Sequence, residues 1–255
     1  MKIVGILNLT ENSFSDGGLY AKAIKAIARV DELFNQGAAV VDIGAASTAY
    51  GAVLIEHEEE WSKLEPILRV KGGADISIDT YHWRTAQKAL QYGVGYINDV
   101  SFGKDPNMLK LIADNPQLKY IMMYSLTLPA NKEIRVRKIS DIDQAFEEKL
   151  NQCLVLGIRL EQVIIDPGIG FATNPAQSFE LIRNIKSFKK FKTEILIGHS
   201  RKSFLEAVTK FPLRERDLET VITSLYLLDN DVDYVRVHNV EWHQRALNVL
   251  KELRK

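Results

Sequence analysis

The feature that most constrains the fold is a regular alternation of short β-rich runs with segments of helical periodicity. The runs are KIVGIL (2–7), AVVDIG (39–44), DISID (75–79), VGYIN (94–98), KYIMMY (119–124), VIID (163–166), EILIG (194–198) and YVRVH (234–238). Eight strand and helix pairs over about 250 residues match a (β/α)₈ barrel, the TIM barrel, in number and in length. An open, doubly wound parallel sheet is the alternative.

Composition predicts one globular domain over residues 1–255. Hydrophobic residues make up 46% of the chain and charged residues 26%, which is typical of globular enzymes. We find no Ser/Gly-rich linker, charge block or low-complexity segment that would mark a domain boundary. The 33 basic and 33 acidic residues balance, so nucleic acid and anionic membranes are not expected as partners. Small molecules are the expected partners. Because the net charge is zero, any anion must be bound by basic or N–H groups within its own site.

Three features predict a soluble protein in a reducing, cytoplasmic compartment. The single cysteine, Cys153, lies in a helical pattern and is expected to be a buried structural thiol. The first run meets Asn8 too early for the apolar region of a secretory signal, so we interpret it as a strand. No apolar stretch approaches the roughly 18 residues that a membrane span requires.

Polar side chains stand at the carboxyl ends of most of the β-rich runs. They are Asn8, Asp42, Asp79, Asn98, Asp166 and His238. In a barrel the carboxyl ends of all strands converge on one mouth, where these side chains would be neighbours. A single Asp or Asn at a strand end more often forms a turn or a helix cap. Polar residues at the ends of six of the runs favour a shared site.

Two segments predict an anion site at that mouth. In YVRVH the strand alternation directs Arg236 and His238 to the same face, and an inward arginine requires an anion or a stacked ring. In ILIGHSRKSFL a strand leads into SRKS (200–203), which we place at the first turn of a helix. Free N–H groups and the helix dipole favour a phosphate or a carboxylate there.

The acidic set has different chemistry. Asp79, Asn98 and Asp166 together offer hydrogen-bond donors and acceptors that suit the edge of a heterocycle, whereas a metal site would contain His or more carboxylates. Two glycines of DPGIG, Gly168 and Gly170, are expected to clear space beside Asp166 so that a flat ring can lie against the backbone. The acidic set therefore predicts a heterocyclic ligand.

The order and spacing of seven motifs give a family resemblance over nearly the whole chain. The motifs are GILNLTENSFSDGG, DIGAAST, SIDT, INDVS, IIDPGIGF, SRKSF and VRVH. Together they resemble dihydropteroate synthase, a folate-pathway family. The resemblance implies a (β/α)₈ barrel transferase, acting as a homodimer, that joins 7,8-dihydropterin-6-ylmethyl diphosphate to 4-aminobenzoate and releases pyrophosphate. It also implies that Mg²⁺ binds the diphosphate.

The resemblance also implies a role for each matching residue. The pterin pocket would contain Asp79, Asn98, Asp166 and Lys202, with Met123 and Phe171 as apolar walls and Arg236 stacked on the ring. Asn8 would be the magnesium ligand, Thr48 and His238 would contact the diphosphate, and Ser200 would contact the aminobenzoate carboxylate. The residues implied to be catalytic are Asp79, Asp166, Lys202 and His238.

The chain departs from the family pattern in three places. Glu11 and Asn12 replace a proline and an aspartate in the first loop, Ala49 and Tyr50 replace an arginine and a proline in the second, and Tyr124 replaces a histidine. Tyr50 is expected either to narrow the aminobenzoate entrance or to be exposed without a role.

These departures leave two alternatives to an active synthase. One is a catalytically weak paralogue that binds a pterin, and the other is a pterin-dependent methyltransferase domain. A methyltransferase would have no use for the anion set of SRKSF and VRVH.

Overall fold

The strands form a closed parallel barrel in a computed structural model that describes residues 1–9 and 19–255. They are β1 (Lys2–Asn8), β2 (Val40–Gly44), β3 (Ile76–Asp79), β4 (Tyr96–Asp99), β5 (Lys119–Met123), β6 (Val163–Asp166), β7 (Glu194–Ile197) and β8 (Tyr234–Val237). Each strand pairs with the next in the chain, and β8 pairs with β1. The predicted (β/α)₈ barrel is confirmed and the open sheet is excluded, because an open sheet would leave two edges unpaired.

The described residues contain nine α-helices. They are α1 (Leu19–Asn35), α2 (His57–Lys71), α3 (Trp83–Leu90), α4 (Pro106–Ala113), α5 (Ser140–Val155), α6 (Pro175–Arg183), α7 (Ser203–Thr209), α8 (Asp217–Asp229) and α9 (Val240–Leu253). Each strand is followed by one helix, except β7, which is followed by α7 and α8. A glycine ends α1, since Gly37 has a φ of 101° and its N–H donates to the Phe34 carbonyl at 2.9 Å.

Apolar and polar side chains separate along the inside of the barrel. A small cluster consisting of Val4, Val40, Ile121, Ile164, Leu196 and Tyr234 fills the interior near the amino-terminal ends of the strands. Because side chains of a strand alternate in direction, the residue two places further on faces the same way. On β2, β6 and β8 that residue is Asp42, Asp166 or Arg236. The barrel interior is therefore apolar near the amino-terminal ends of the strands and charged towards their carboxyl ends.

Two predictions about the surroundings of the chain can be examined on the described residues. Across residues 1–9 and 19–255, no helix combines the length and the apolar character that crossing a membrane requires. Cys153 is completely buried, as predicted, and burial raises the pKa of its thiol to about 11. The cytoplasmic location stays a prediction.

The turn after β6 brings two backbones into close contact. The Tyr124 N–H donates to the Asp166 carbonyl at 2.8 Å. Gly168 has a φ of 69°, and a Cβ atom there would lie 2.0 Å from the Tyr124 carbonyl oxygen. The predicted reason for this glycine, space for a ligand ring, is thus wrong, because the neighbouring strand end occupies that space. A Cβ at Gly170 would meet the Lys202 Cδ at 3.4 Å.

Replacing Gly168 tests this close approach. Gly168→Ala must both adopt a left-handed backbone and displace a carbonyl, and we expect it to lower the free energy of unfolding by about 2–4 kcal/mol. Gly157 is a matched control, since its φ is 84° and a Cβ there would have nothing within 4 Å. Gly157→Ala should cost only about 1–2 kcal/mol, the backbone strain alone. Urea unfolding measures both, and equal losses would contradict the interpretation.

Candidate active site

A cavity of about 320 Å³ opens at the carboxyl ends of the strands. All eleven residues to which the family resemblance assigned a role line it: Asn8, Thr48, Asp79, Asn98, Met123, Asp166, Phe171, Ser200, Lys202, Arg236 and His238. The expectation that Asp42 joins them at the mouth is wrong. Residues separated by up to 230 positions in the chain thus share one site, as expected at the mouth of a barrel. Their individual roles stay predictions.

Six further residues line the cavity, and sequence reasoning gave none of them a role. They are Ile6, Ala46, Ser47, Ala49, Val100 and Gly198. Strand alternation could have identified Ile6, because it lies two residues before Asn8 on β1. The residues of the loop after β2 carry no periodic signal, so a single sequence could not place them at the cavity.

The guanidinium of Arg236 is held between two carboxylates in the middle of the site. Its Nε donates to Asp42 Oδ2 at 2.5 Å and its Nη2 donates to Asp79 Oδ2 at 2.7 Å. The same Asp42 oxygen accepts a hydrogen bond from Asn98 Nδ2 at 2.9 Å. Asp42 is completely buried and does not line the cavity. The anion that an inward arginine requires is therefore supplied by the protein itself.

Asp79 is one of two carboxyl groups on the cavity wall whose pKa is raised. Burial raises the pKa of Asp79 to about 7, although the positive charge of Arg236 opposes this shift. The negative charges of Asp42, Glu60 and Asp99 raise the Asp79 pKa further. The carboxyl group of Asp79 therefore changes charge near neutral pH.

Asp166 and Lys202 both line the cavity and influence each other through their charges. Asp166 Oδ1 accepts the Gly168 N–H at 2.9 Å. Burial raises the pKa of Asp166 and lowers that of Lys202 to about 8, while the two charges favour each other's ionised form. Lys202 Nζ donates to the Ile169 carbonyl and lies 4.7 Å from the centroid of the Phe171 ring. Lys202 thus stands among a carboxylate, a carbonyl and an aromatic face.

The prediction that SRKS (200–203) forms the first turn of a helix is wrong for its first three residues. Helix α7 starts at Ser203, so Ser200 and Lys202 precede it. The reason is the left-handed backbone of Arg201, with a φ of 59°. The Arg201 side chain pairs with Asp217 at 2.6 and 2.8 Å and does not line the cavity. Only one member of the predicted basic pair, Lys202, faces the site.

Ser200 contacts His238 twice. The His238 backbone N–H donates to Ser200 Oγ at 3.2 Å, and Ser200 Oγ lies 2.9 Å from His238 Nδ1. Burial lowers the pKa of His238 to about 4, and the nearby charges of Arg201 and Arg236 contribute to this shift. The imidazole is therefore neutral at pH 7. A hydroxyl that accepts the backbone N–H and donates to Nδ1 favours the tautomer with the proton on Nε2.

The departures from the family pattern differ in their distance from the cavity. Ala49 lines it, whereas Tyr50 is 54% exposed beside Lys132 and does not, so the expected narrowing of the entrance is not observed. Tyr124 is buried against Phe102 behind the wall, with ring centroids 5.1 Å apart. Glu11 and Asn12 lie outside the described residues.

Two buried carboxyl groups support the wall from outside the cavity. Asp99 accepts hydrogen bonds from the Ser101 and Gly103 backbone and from the Tyr120 hydroxyl, which lies at 2.7 Å. Glu60 on α2 accepts one from the Thr80 hydroxyl at 2.7 Å. Sequence reasoning missed both, because a carboxylate that binds local backbone or a neighbouring element carries no distinctive spacing.

The site offers few ligands for a metal ion. Within residues 1–9 and 19–255, no group of three or more His, Cys, Asp or Glu side chains is arranged to hold one. Asn8, exposed at the end of β1, provides one amide oxygen at the cavity. A metal ion bound here would therefore take most of its ligands from a bound molecule or from water.

Comparison with known proteins gives consistent matches. The family model for pterin binding enzymes matches residues 4–238. The chain is 37% identical over 261 residues to the folate synthesis bifunctional protein of Chlamydia caviae, which covers 96% of this chain and 58% of that protein. The chain thus spans less than two thirds of the length of this curated relative.

Two solved structures match almost the whole chain. A dihydropteroate synthase from Anaplasma phagocytophilum with bound 6-hydroxymethylpterin-monophosphate is 35% identical, with a TM-score of 0.88, covering 99% of this chain and 98% of that one. The Xanthomonas albilineans dihydropteroate synthase with 4-aminobenzoic acid is 27% identical, with a TM-score of 0.91, covering 99% and 93%. The chain belongs to the dihydropteroate synthases of the pterin-binding enzyme family.

Proposed function

We propose that this chain, as one pterin-binding barrel domain over residues 1–255, catalyses the dihydropteroate synthase reaction. The amine nitrogen of 4-aminobenzoate forms a bond to the methylene carbon of 7,8-dihydropterin-6-ylmethyl diphosphate. The bond from that carbon to the diphosphate oxygen breaks, pyrophosphate leaves, and the amine loses a proton. The observation that carries the proposal is the cavity in which buried carboxylates, an amide, Lys202, Arg236 and His238 converge.

The floor of the cavity suits the pterin. Asp79 and Asp166 can accept the ring and amino N–H groups, and Asn98 adds an amide oxygen, since its Nδ2 is bound to Asp42. Met123 and Phe171 provide apolar surface for the faces of the ring. The pterin monophosphate bound by the Anaplasma relative supports this choice of ligand. Nearby negative charge would also stabilise positive charge that develops on the pterin as pyrophosphate departs.

The upper wall suits the diphosphate. His238 is neutral and presents an Nε2–H donor, and Thr48 adds a hydroxyl at the rim. The single oxygen ligand of Asn8 fits Mg²⁺, because this ion usually keeps several waters and takes further oxygens from substrate phosphates. When bound, Mg²⁺ would neutralise negative charge on the diphosphate. The binding of the diphosphate would thus be shared between the protein and the ion.

The second substrate needs orientation more than activation. An aromatic amine is uncharged at pH 7, so we assign no residue as the general base for its attack. Ser200 precedes α7 near the mouth and is the proposed contact of the aminobenzoate carboxylate. The 4-aminobenzoic acid bound by the Xanthomonas relative supports this substrate.

A coupled assay of pyrophosphate release tests the function. With both substrates and Mg²⁺ we expect turnover, and removal of the metal with EDTA should abolish it while leaving the binding of 6-hydroxymethylpterin unchanged. The reason is that the ion would contact Asn8 and the diphosphate, and not the pterin ring. Pterin binding without pyrophosphate release would instead indicate a catalytically weak paralogue. Methyl transfer to or from a bound pterin would indicate the methyltransferase alternative.

The pH dependence of pterin binding tests Asp79. The ionised carboxylate is the acceptor for ring N–H groups, and its fraction grows as the pH rises through about 7. Calorimetry with 6-hydroxymethylpterin should therefore show affinity that increases from pH 5.5 to 7.5, by up to about tenfold per unit below the pKa. Asp79→Asn should bind more weakly and without this dependence. An unchanged slope in that variant would remove Asp79 from the pocket.

We also propose that the chain forms a homodimer through α8 and α9. These helices border an exposed groove lined by apolar residues, which include Leu218, Val221, Leu225, Trp242, Val249 and Leu253. A contiguous apolar surface of this kind is typical of an interaction site. A second copy of the chain would cover it.

A charge placed in the groove tests the dimer. Val249 is 60% exposed, and Val249→Glu is expected to shift the sedimentation coefficient from dimer to monomer because it buries an unpaired charge at the interface. Val155, which is 87% exposed at the end of α5, is the control, and Val155→Glu should remain dimeric. A monomeric unmodified protein, or two variants with equal behaviour, would contradict this interface.

A further inference from the structure

Asp42 lies beneath the cavity and connects two of the residues that line it. One of its oxygens, Oδ2, accepts both the Arg236 Nε–H and the Asn98 Nδ2–H. Its other oxygen, Oδ1, has no hydrogen-bond partner among the described residues. Both attractions therefore pass through a single buried atom, and Asp42 fixes the position of Arg236 relative to Asn98.

The two carboxylates bound to Arg236 differ in what a ligand can reach. The Asp79 side chain is 14% exposed and lines the cavity, whereas that of Asp42 is 0% exposed and does not. A ligand N–H can therefore replace Arg236 Nη2 on Asp79 but has no access to the Arg236 Nε contact below. Only one of the two ion pairs of Arg236 can be exchanged for a ligand.

Asp42 also orients the amide of Asn98. An amide that donates through Nδ2 to a carboxylate directs its oxygen the other way, which here leaves Asn98 Oδ1 as an acceptor for a ligand. Without the charge of Asp42, nothing in the contact would distinguish the two orientations of this amide. Asp42 thus fixes both the position of the Arg236 guanidinium and the orientation of the Asn98 amide oxygen.

We propose that Asp42 is a positioning residue for the pterin: the ligand replaces the Arg236 contact with Asp79, while the Arg236 contact with Asp42 persists as a pivot. This inference rests on the proposed pterin-binding function. It assigns to Asp42 a role through its neighbours and not through contact with the substrate. Arg236 would then turn about its Nε to lie against the ring.

A substitution at Asp42 tests the positioning role. Asp42→Asn keeps the size but removes the charge, and we expect it to lower the affinity for 6-hydroxymethylpterin about 10- to 100-fold in calorimetry. Asp233 is the control, because it accepts from Lys189 Nζ at 2.6 Å and from the Ile195 N–H at 2.8 Å, at the opposite end of the barrel. Asp233→Asn should change pterin affinity less than about threefold, whatever its effect on Tm. Equal losses in the two variants would overturn the proposal.

A double-mutant cycle separates positioning from general destabilisation. If Asp42 acts mainly through Arg236, Asp42→Asn should cost at least about threefold less affinity in an Arg236→Gln background than in the unmodified protein. The same loss in both backgrounds would show that Asp42 does not act through the arginine, and would overturn the proposal.

The unmodified protein provides a test that does not depend on folding of a variant. The Arg236 Nε–H signal, assigned by its absence in Arg236→Lys, should exchange slowly with solvent and keep its nitrogen shift when 6-hydroxymethylpterin binds. Movement of this signal to the position of exposed arginines on binding would overturn the pivot. Pterin binding without turnover would contradict the proposed synthase activity alone, whereas a protein that binds no pterin would overturn both.

Discussion

The pairing of β8 with β1 is the constraint on which the rest of the structure depends. It matches Lys2 with Tyr234 and Gly5 with Val237, and it turns a row of strands into a closed surface with an inside. Once the barrel is closed, the direction of every side chain on every strand is fixed by its place in the alternation. Apolar residues then fill the lower interior, and the residues two positions later on the same strands, with the exception of Asp42, form the floor of the cavity.

The electrostatics of that floor indicate a ligand. Arg236 and Lys202 lie among three buried or nearly buried carboxyl groups, Asp42, Asp79 and Asp166. Well-packed apolar side chains in the same positions are often as stable as a buried ionic network, or more so. The charges are therefore better explained by binding than by stability. The raised pKa values of Asp79 and Asp166 agree with this, because perturbed carboxyl groups in a cleft are typical of functional sites.

Most of the barrel and of the cavity lining could be predicted from the sequence, because both follow from periodicity. The β-rich runs identify the strands, and the polar residues at their ends must meet if the barrel closes. The partners of each side chain could not be predicted in this way. The sequence places Asp42 at a strand end like Asp79, yet Asp42 lies under the floor, because β2 continues two residues past it to Gly44, which pairs with Asp79.

Local backbone geometry accounts for the other differences. The spacing of SRKSF is compatible with a helix that starts at Ser200, and only the left-handed backbone of Arg201 moves the start to Ser203. Similarly, Gly168 lies two residues after Asp166, a predicted site residue, but the glycine is required there by the nearby Tyr124 carbonyl and not by a ligand. Periodicity along one chain encodes neither the left-handed backbone of Arg201 nor the approach of the Tyr124 carbonyl to Gly168.

The same constraint explains where the chain departs from the family pattern. Residues on the floor, such as Asp79 and Asn98, stand on strands whose register is set by two neighbours, so moving one of them would disturb the closed barrel. Ala49 and Tyr50 lie in the loop after β2, where no strand pairing fixes the register, so they can change without altering the floor. Tyr124 occupies a third type of position, since it packs in the core behind the cavity wall and does not line the cavity. The floor that would bind the ring is thus built separately from the loop after β2, and the described departures lie in that loop and in the core, not on the floor.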